Sequence, residues 1–118
     1  MTLVDTSVWV EHLRKGNPQL KSLLYATEVV THPFIIGELA CGTMRNRDEI
    51  LHYLGALPTA RLAEHSEVLQ LIENERLYGR GIGWVDAHLL AATLLSSCRL
   101  WTLDKQLFSI AASLNVSM

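Results

Sequence analysis

Leu3-Val4-Asp5-Thr6-Ser7 is a short apolar run that stops on a carboxylate, with two hydroxyl residues placed to open a helix behind it. It reads as a buried strand. In open parallel α/β sheets, ligands bind in the crevice beyond the carboxyl ends of the strands. An acid at that point faces a site more often than a core, so the question is where the chain sends its other carboxylates.

Downstream, helical and extended patterns alternate. Val8, Trp9 and Leu13 share a face of a helix over 7–14 that Gly16 stops, and Asn17-Pro18 supplies a cap and a first-turn proline to a second helix carrying Leu20, Leu23 and Leu24. Glu28-Val29-Val30-Thr31 is a β-branched strand. His32-Pro33 ends it and opens an apolar helix through Phe34, Ile35, Ile36, Leu39 and Cys41 to Gly42. A helix with Ile50, Leu51, Leu54 and Leu57 stops near Pro58, Leu62 marks a short third strand, and Ser66 caps a long helix running to Tyr78-Gly79. Gly81-Ile82-Gly83 leads into an apolar helix around Leu89, Leu90, Leu94 and Leu95; a strand over 99–102, a helix over 105–114 and an edge strand at Val116 follow. Strands separated by helices predict βαβ units and a parallel sheet covered by helices.

A chain of 118 residues suffices for one domain with its own core, and residues 1–118 are read as that single domain. With 49% hydrophobic and 19% charged residues, the composition is globular. The net charge of −2 carries no global basic signature of nucleic-acid binding, but four carboxylates committed to one divalent ion bring the balance to neutrality and leave local basic patches in play. Cys41 and Cys98 sit far apart in apolar helical runs and are expected to be buried free thiols of a reducing compartment; no Cys/His spacing resembles a zinc site. No basic-then-apolar leader opens the chain, and no apolar run approaches the ~20 residues that span a bilayer. A cytoplasmic location and no membrane partner are expected.

The chain has four aspartates, Asp5, Asp48, Asp86 and Asp104, and three of them stand in apolar surroundings. Asp5 and Asp104 follow predicted strands. Glu38 interrupts Phe34-Ile35-Ile36-Gly37 and Leu39-Ala40-Cys41, where a helix is expected to bury most of its surface, and Asp86 shares a helix face with Leu89, Leu90 and Thr93. Each has a structural reading: helix caps for Asp104 and Asp86, a surface acid for Glu38, an exposed strand end for Asp5. The four together are harder to explain that way, because strand exits and the first turns of the following helices gather along one sheet edge. Convergent carboxylates repel unless a cation is present, and oxygen-only ligands select hard ions such as Mg²⁺ or Mn²⁺. That donor set favours phosphodiester hydrolysis.

The pattern resembles the PIN-domain ribonucleases, and within them the VapC-type toxins of bacterial toxin–antitoxin pairs. The matching pieces are 3–9 (Leu3-Val4-Asp5-Thr6-Ser7-Val8-Trp9), 38–42 (Glu38-Leu39-Ala40-Cys41-Gly42), 83–92 (Gly83-Trp84-Val85-Asp86-Ala87-His88-Leu89-Leu90-Ala91-Ala92) and 100–104 (Leu100-Trp101-Thr102-Leu103-Asp104), in the family's order over nearly the whole chain. The resemblance implies a three-layer α/β/α sandwich with a short parallel sheet. It implies an Mg²⁺- or Mn²⁺-dependent endoribonuclease whose acidic site is Asp5, Glu38, Asp86 and Asp104. Asp5 and Asp86 would be the most direct ligands, Asp104 would complete the set, Glu38 would position or deprotonate the attacking water, and Thr6 and Thr102 would support the carboxylates. His88 receives no role. Also implied are a structured RNA substrate such as tRNA, a homodimer and a cognate antitoxin. Arg14, Lys15, Arg45, Arg47 and Lys105 flank the acids in sequence and are candidate phosphate contacts.

Two rival enzyme classes fit poorly. Haloacid-dehalogenase phosphatases need a second acid two residues after the first, where this chain has Ser7, and receiver domains need an adjacent acidic pair after the first strand. A non-catalytic module that keeps the fold and only binds partners is the remaining alternative; carboxylates held in apolar segments argue against it.

Overall fold

Three short parallel strands carry the fold, in the order β2-β1-β3. In the computed structural model, which describes residues 1–118, β1 (Thr2–Val4) lies between β2 (Val29–Val30) and β3 (Arg99–Trp101). The register pairs Leu3 with Val30 and Leu100, and Val4 with Trp101. Leu3, Val4 and Leu100 are fully buried, as strands covered on both faces must be.

Helices α1 (Thr6–Lys15) and α2 (Pro18–Tyr25) join β1 to β2. Four more, α3 (Pro33–Ala40), α4 (Arg47–Ala56), α5 (His65–Asn74) and α6 (Trp84–Ser96), lead to β3, and α7 (Lys105–Ser113) follows it. The chain moves outward from β1 to β2 and then back across β1 to β3. Right-handed crossovers in those two directions put helices on both faces, the three-layer α/β/α sandwich expected from the sequence. They also set the reversal of strand order between β1 and β3, where α/β sheets open a crevice at their carboxyl ends. α6 is the central helix: every residue from Ala87 to Thr93 is buried, and the Thr93 hydroxyl satisfies itself on the Leu89 carbonyl at 2.7 Å. No helix is long and apolar enough to cross a membrane.

Local signals explain most boundaries. Asn17 caps α2 by accepting from the Leu20 N–H at 3.0 Å, with Pro18 in the first turn. Elsewhere the sequence misleads. Leu62 is exposed and in no strand; the chain that leaves α4 at Pro58 turns straight onto the end of β2, where Thr59 bridges Thr31. α5 begins before Ser66, its start held by the Glu67 carboxylate accepting from the Glu64 N–H at 2.8 Å, and it ends at Asn74, short of Tyr78. Val116 forms no strand, though Ser117 beside it bridges Leu100. Cys98 is buried as expected, but Cys41 is exposed, because α3 reaches the surface where it ends.

α3 is capped by a histidine. His32 Nδ1 accepts from the Phe34 N–H at 3.0 Å, so the neutral ring carries its proton on Nε2, which is buried without a partner. Burial, and then the neighbouring His88, push the His32 pKa from 6.5 down to about 4. The unfolded chain therefore takes up a proton that the folded one refuses. Stability that is complete above pH 6.5 drains away as the pH falls towards 4. That loss amounts to about 3 kcal/mol. Urea denaturation of wild type and His32→Asn at pH 7 and pH 4 checks it: asparagine keeps the cap and removes the titration, so its loss should be smaller by about that amount. Equal losses in the two proteins would show that His32 does not couple to folding.

Candidate functional site

The carboxyl edge of the sheet gathers the four acids. Asp5 follows β1 directly and its N–H donates to the Trp101 carbonyl at 2.9 Å, which extends the β1–β3 pairing to bring Thr102 opposite it. Asp5 sits at the N-terminus of α1 yet does not cap it. Its Oδ2 instead accepts from Thr102 Oγ1 at 2.7 Å and from Ser7 Oγ at 2.8 Å. Those hydroxyls are themselves fixed by the backbone after β3: Thr102 Oγ1 accepts from the Asp104 N–H at 3.1 Å and Ser7 Oγ from the Leu103 N–H at 3.0 Å. A buried carboxylate is thus held by two donors whose own lone pairs are satisfied.

The other three acids are less buried than the sequence suggested. Asp86, half-buried in the first turn of α6, accepts from the Gly83 N–H through Oδ2 at 3.2 Å. Asp104 is exposed and caps α7, its Oδ1 accepting from the Leu107 N–H at 2.9 Å. Glu38 is exposed as well, because α3 buries Ile35 and Leu39 and turns Phe34, Gly37 and Glu38 outward; its Oε1 accepts from Thr6 Oγ1 at 2.6 Å. Of the two supporting threonines, then, Thr6 holds Glu38 and Thr102 holds Asp5. Ser7 is the member that sequence reasoning missed. The signal was the second hydroxyl of Asp5-Thr6-Ser7, read as a helix opener when it is a donor back to the acid.

The acids feel one another. Burial is the main reason the Asp86 carboxyl is raised above its ordinary value, and the charges of Asp5, Asp104 and Glu38 push it further, against the Gly83 N–H. No three of the chain's His, Cys, Asp and Glu side chains form a ready-made metal cage. Each acid is held separately by a hydroxyl or a helix N-terminus. All four nevertheless follow one rule: one carboxylate oxygen is engaged by the protein, and the other has no protein partner. Oxygen-only donors, half of them uncommitted and mutually repulsive, fit a hard divalent cation.

Beside the acids, His88 is buried against Trp84, with ring centroids 4.6 Å apart, and Phe34, 4.9 Å away. It packs the start of α6 against the start of α3, a spacing role in which burial and then the charge of His65 lower its pKa. Among the candidate cations, Arg47 is used by the fold, donating to the Ala40 carbonyl at 2.8 Å and pairing with Asp48 at 3.7 Å.

Comparison with known proteins agrees with this fold. The family model described as PIN domain matches residues 2–113. Ribonuclease VapC32 of Mycobacterium tuberculosis, from strains CDC 1551 / Oshkosh and ATCC 25618 / H37Rv, is 45% identical over 119 residues, covering 100% of this chain and 96% of the relative. The crystal structure of FitAcB from Neisseria gonorrhoeae has a similar fold, with a TM-score of 0.66 at 21% identity over 99% of this chain and 95% of that one. With a match across nearly its whole length and acids at the carboxyl edge of a three-stranded parallel sheet, the chain belongs to the PIN-domain family, among its VapC-type members.

Proposed function

We propose that this protein is an endoribonuclease that hydrolyses phosphodiester bonds in RNA, with Asp5, Glu38, Asp86 and Asp104 as its catalytic and metal-binding residues. The observation that carries the reading is the split use of the four carboxylates, one oxygen engaged and one free on each. Mg²⁺ or Mn²⁺ is the cofactor this donor set suits, and when bound it supplies positive charge against the oxygens of the reacting phosphate. Asp5 and Asp86 are the direct ligands and Asp104 completes the set. Glu38, on the open side, orients the attacking water and takes its proton. Thr6, Ser7 and Thr102 fix the directions of Glu38 and Asp5 through the hydrogen bonds described above.

The VapC32 relatives are named ribonucleases, which supports RNA as the substrate class. In this reading the protein is the toxin of a toxin–antitoxin pair, acts on structured RNA such as tRNA in the cytoplasm, forms a homodimer and is silenced by a cognate antitoxin. Residues 1–118 work as one nuclease domain, a reading that the single large core cluster of 20 buried residues supports.

Incubating the purified protein with a tRNA pool is the test. Cleavage is expected with Mn²⁺ or Mg²⁺ and should stop on chelation with EDTA. Cleavage untouched by EDTA, or ends carrying a 2′,3′-cyclic phosphate (the mark of attack by the RNA's own 2′-hydroxyl), would overturn the mechanism. If no RNA is cut under any condition, the protein is a partner-binding module on a nuclease fold.

A further inference from the structure

A groove of about 400 Å³ leads away from the acids along α1. Its near end is made by Thr6 and Glu38, the hydrogen-bonded pair at the open side of the site. Val10, Leu13 and Arg14 continue the same stripe of α1, since residues four, seven and eight positions after Thr6 share its helix face. The run from Thr6 to Arg14 covers roughly 12 Å of helix. Leu39 and the loop after α3, with Met44 and Arg45, form the facing wall.

Charge changes sign along this groove. Glu38 is its only carboxylate and stands at the site end, while the guanidiniums of Arg14 and Arg45 line it without an ion pair or hydrogen bond to the protein. The fold uses Arg47 two residues on, so the loop leaves Arg45 as its free cation. Between the charged ends lies an apolar floor of Val10, Leu13, Leu39 and Met44. A volume of 400 Å³ is in the range of small-ligand sites. Free arginines on both walls, an apolar floor and continuity with the acids suit the alternation of phosphate and base-bearing ribose along a nucleic acid strand.

We infer that this groove is a nucleotide subsite flanking the scissile phosphate, in which Arg14 and Arg45 hold the neighbouring phosphate and the apolar floor takes the base and ribose between. The inference rests on the ribonuclease reading and assigns the path by which single-stranded RNA leaves the acidic site. Arg14 and Arg45 are positioning residues that set affinity and register; the acids perform the chemistry.

The test follows binding of a fluorescein-labelled single-stranded RNA hexamer to the full chain in EDTA by anisotropy over a salt series, and cleavage of the same RNA in Mn²⁺. The double variant Arg14→Gln/Arg45→Gln is expected to bind about tenfold more weakly, and its slope of log Kd against log salt to fall by about 0.7, for the one lost single-strand phosphate contact. Arg14→Lys/Arg45→Lys should keep the slope while losing part of the affinity. Val10→Trp, which fills the groove without changing charge, should raise KM and leave the slope alone. Arg99→Gln, exposed at the far end of the sheet where β3 begins, should match wild type throughout. If wild type binds and cleaves and the Arg→Gln pair does so with the same Kd and slope, the subsite is wrong while the ribonuclease reading stands. If wild type neither binds nor cuts RNA, both fall. Arginine variants that cut normally but escape inhibition by an antitoxin would give the groove to a protein partner and overturn the assignment.

Discussion

Asp86→Asn is expected to melt higher than wild type in the absence of divalent ions while cutting RNA about a thousandfold more slowly in their presence. The two effects share one cause. Asp86 is half-buried and faces three other acids, so its folded-state pKa lies above the ordinary carboxylate value and the folded chain holds that proton more tightly than the unfolded one. Ionised Asp86 therefore costs stability at neutral pH, and the cost fades as the pH falls through the raised value towards 3.8. An amide can still accept from the Gly83 N–H, so the substitution removes the charge and keeps the contact to the helix start. Relief of such a charge yields on the order of 1 kcal/mol, about 4 °C for a domain of this size. The gap in melting temperature between variant and wild type should narrow on acidification; the His32 titration is common to both and cancels in the difference. Catalysis moves the other way, because losing a direct ligand forfeits several kcal/mol of transition-state stabilisation at about 1.4 kcal/mol per tenfold. A variant that melts several degrees lower would make Asp86 a structural residue of α6. One that cuts normally would remove it from the site.

Leu3→Ala should cost about 3–5 kcal/mol in urea denaturation. Leu3 is fully buried in the middle of a strand only three residues long, with Val30 paired to it on one side and Leu100 on the other. Truncation leaves a cavity in the central strand where it is paired on both sides, and a sheet this small has little freedom to close it. Against a total of about 5–15 kcal/mol for a typical domain, the variant would spend much of its time unfolded at 37 °C. Leu3→Val, which puts a smaller but β-branched apolar side chain there, should lose far less. A cost below about 1 kcal/mol for the alanine would mean that the strands contribute little and the helices hold the fold alone.

The sequence was most legible where a local rule and a global one agree. Leu3-Val4-Asp5 is apolar, short and ends on an acid, and it is the central strand. Asn17-Pro18 has one physical use, and α2 starts there. The failures have a common origin in exposure, which spacing alone does not report. Glu38 looked embedded because its neighbours are apolar, yet only Ile35 and Leu39 of α3 go deep into the core, and the glutamate stands outside. Asp104 does what its cap reading said, while its second oxygen stays free for the site reading, so the two alternatives were never exclusive. Ser7 was legible as a hydroxyl but not as a donor to Asp5, because that role depends on Leu103, which lies 96 residues further along and presents the N–H that fixes it. His32 as a cap had no signal, since imidazole seldom fills that role.

The hydroxyl bridge between the ends of β1 and β3 has a consequence for the order of synthesis. Asp5 leaves the ribosome almost a hundred residues ahead of the groups that orient it, Thr102 and the backbone at Leu103 and Asp104. Domains can begin to fold as they emerge, but β1 cannot acquire this partner from an incomplete chain. A nascent chain with β1, α1 and even α6 in place still lacks the edge that holds Asp5. The cell that translates it is therefore spared the assembled arrangement until Thr102 to Asp104 have been made, and a transcript broken short of the Thr102 codon encodes a chain without it.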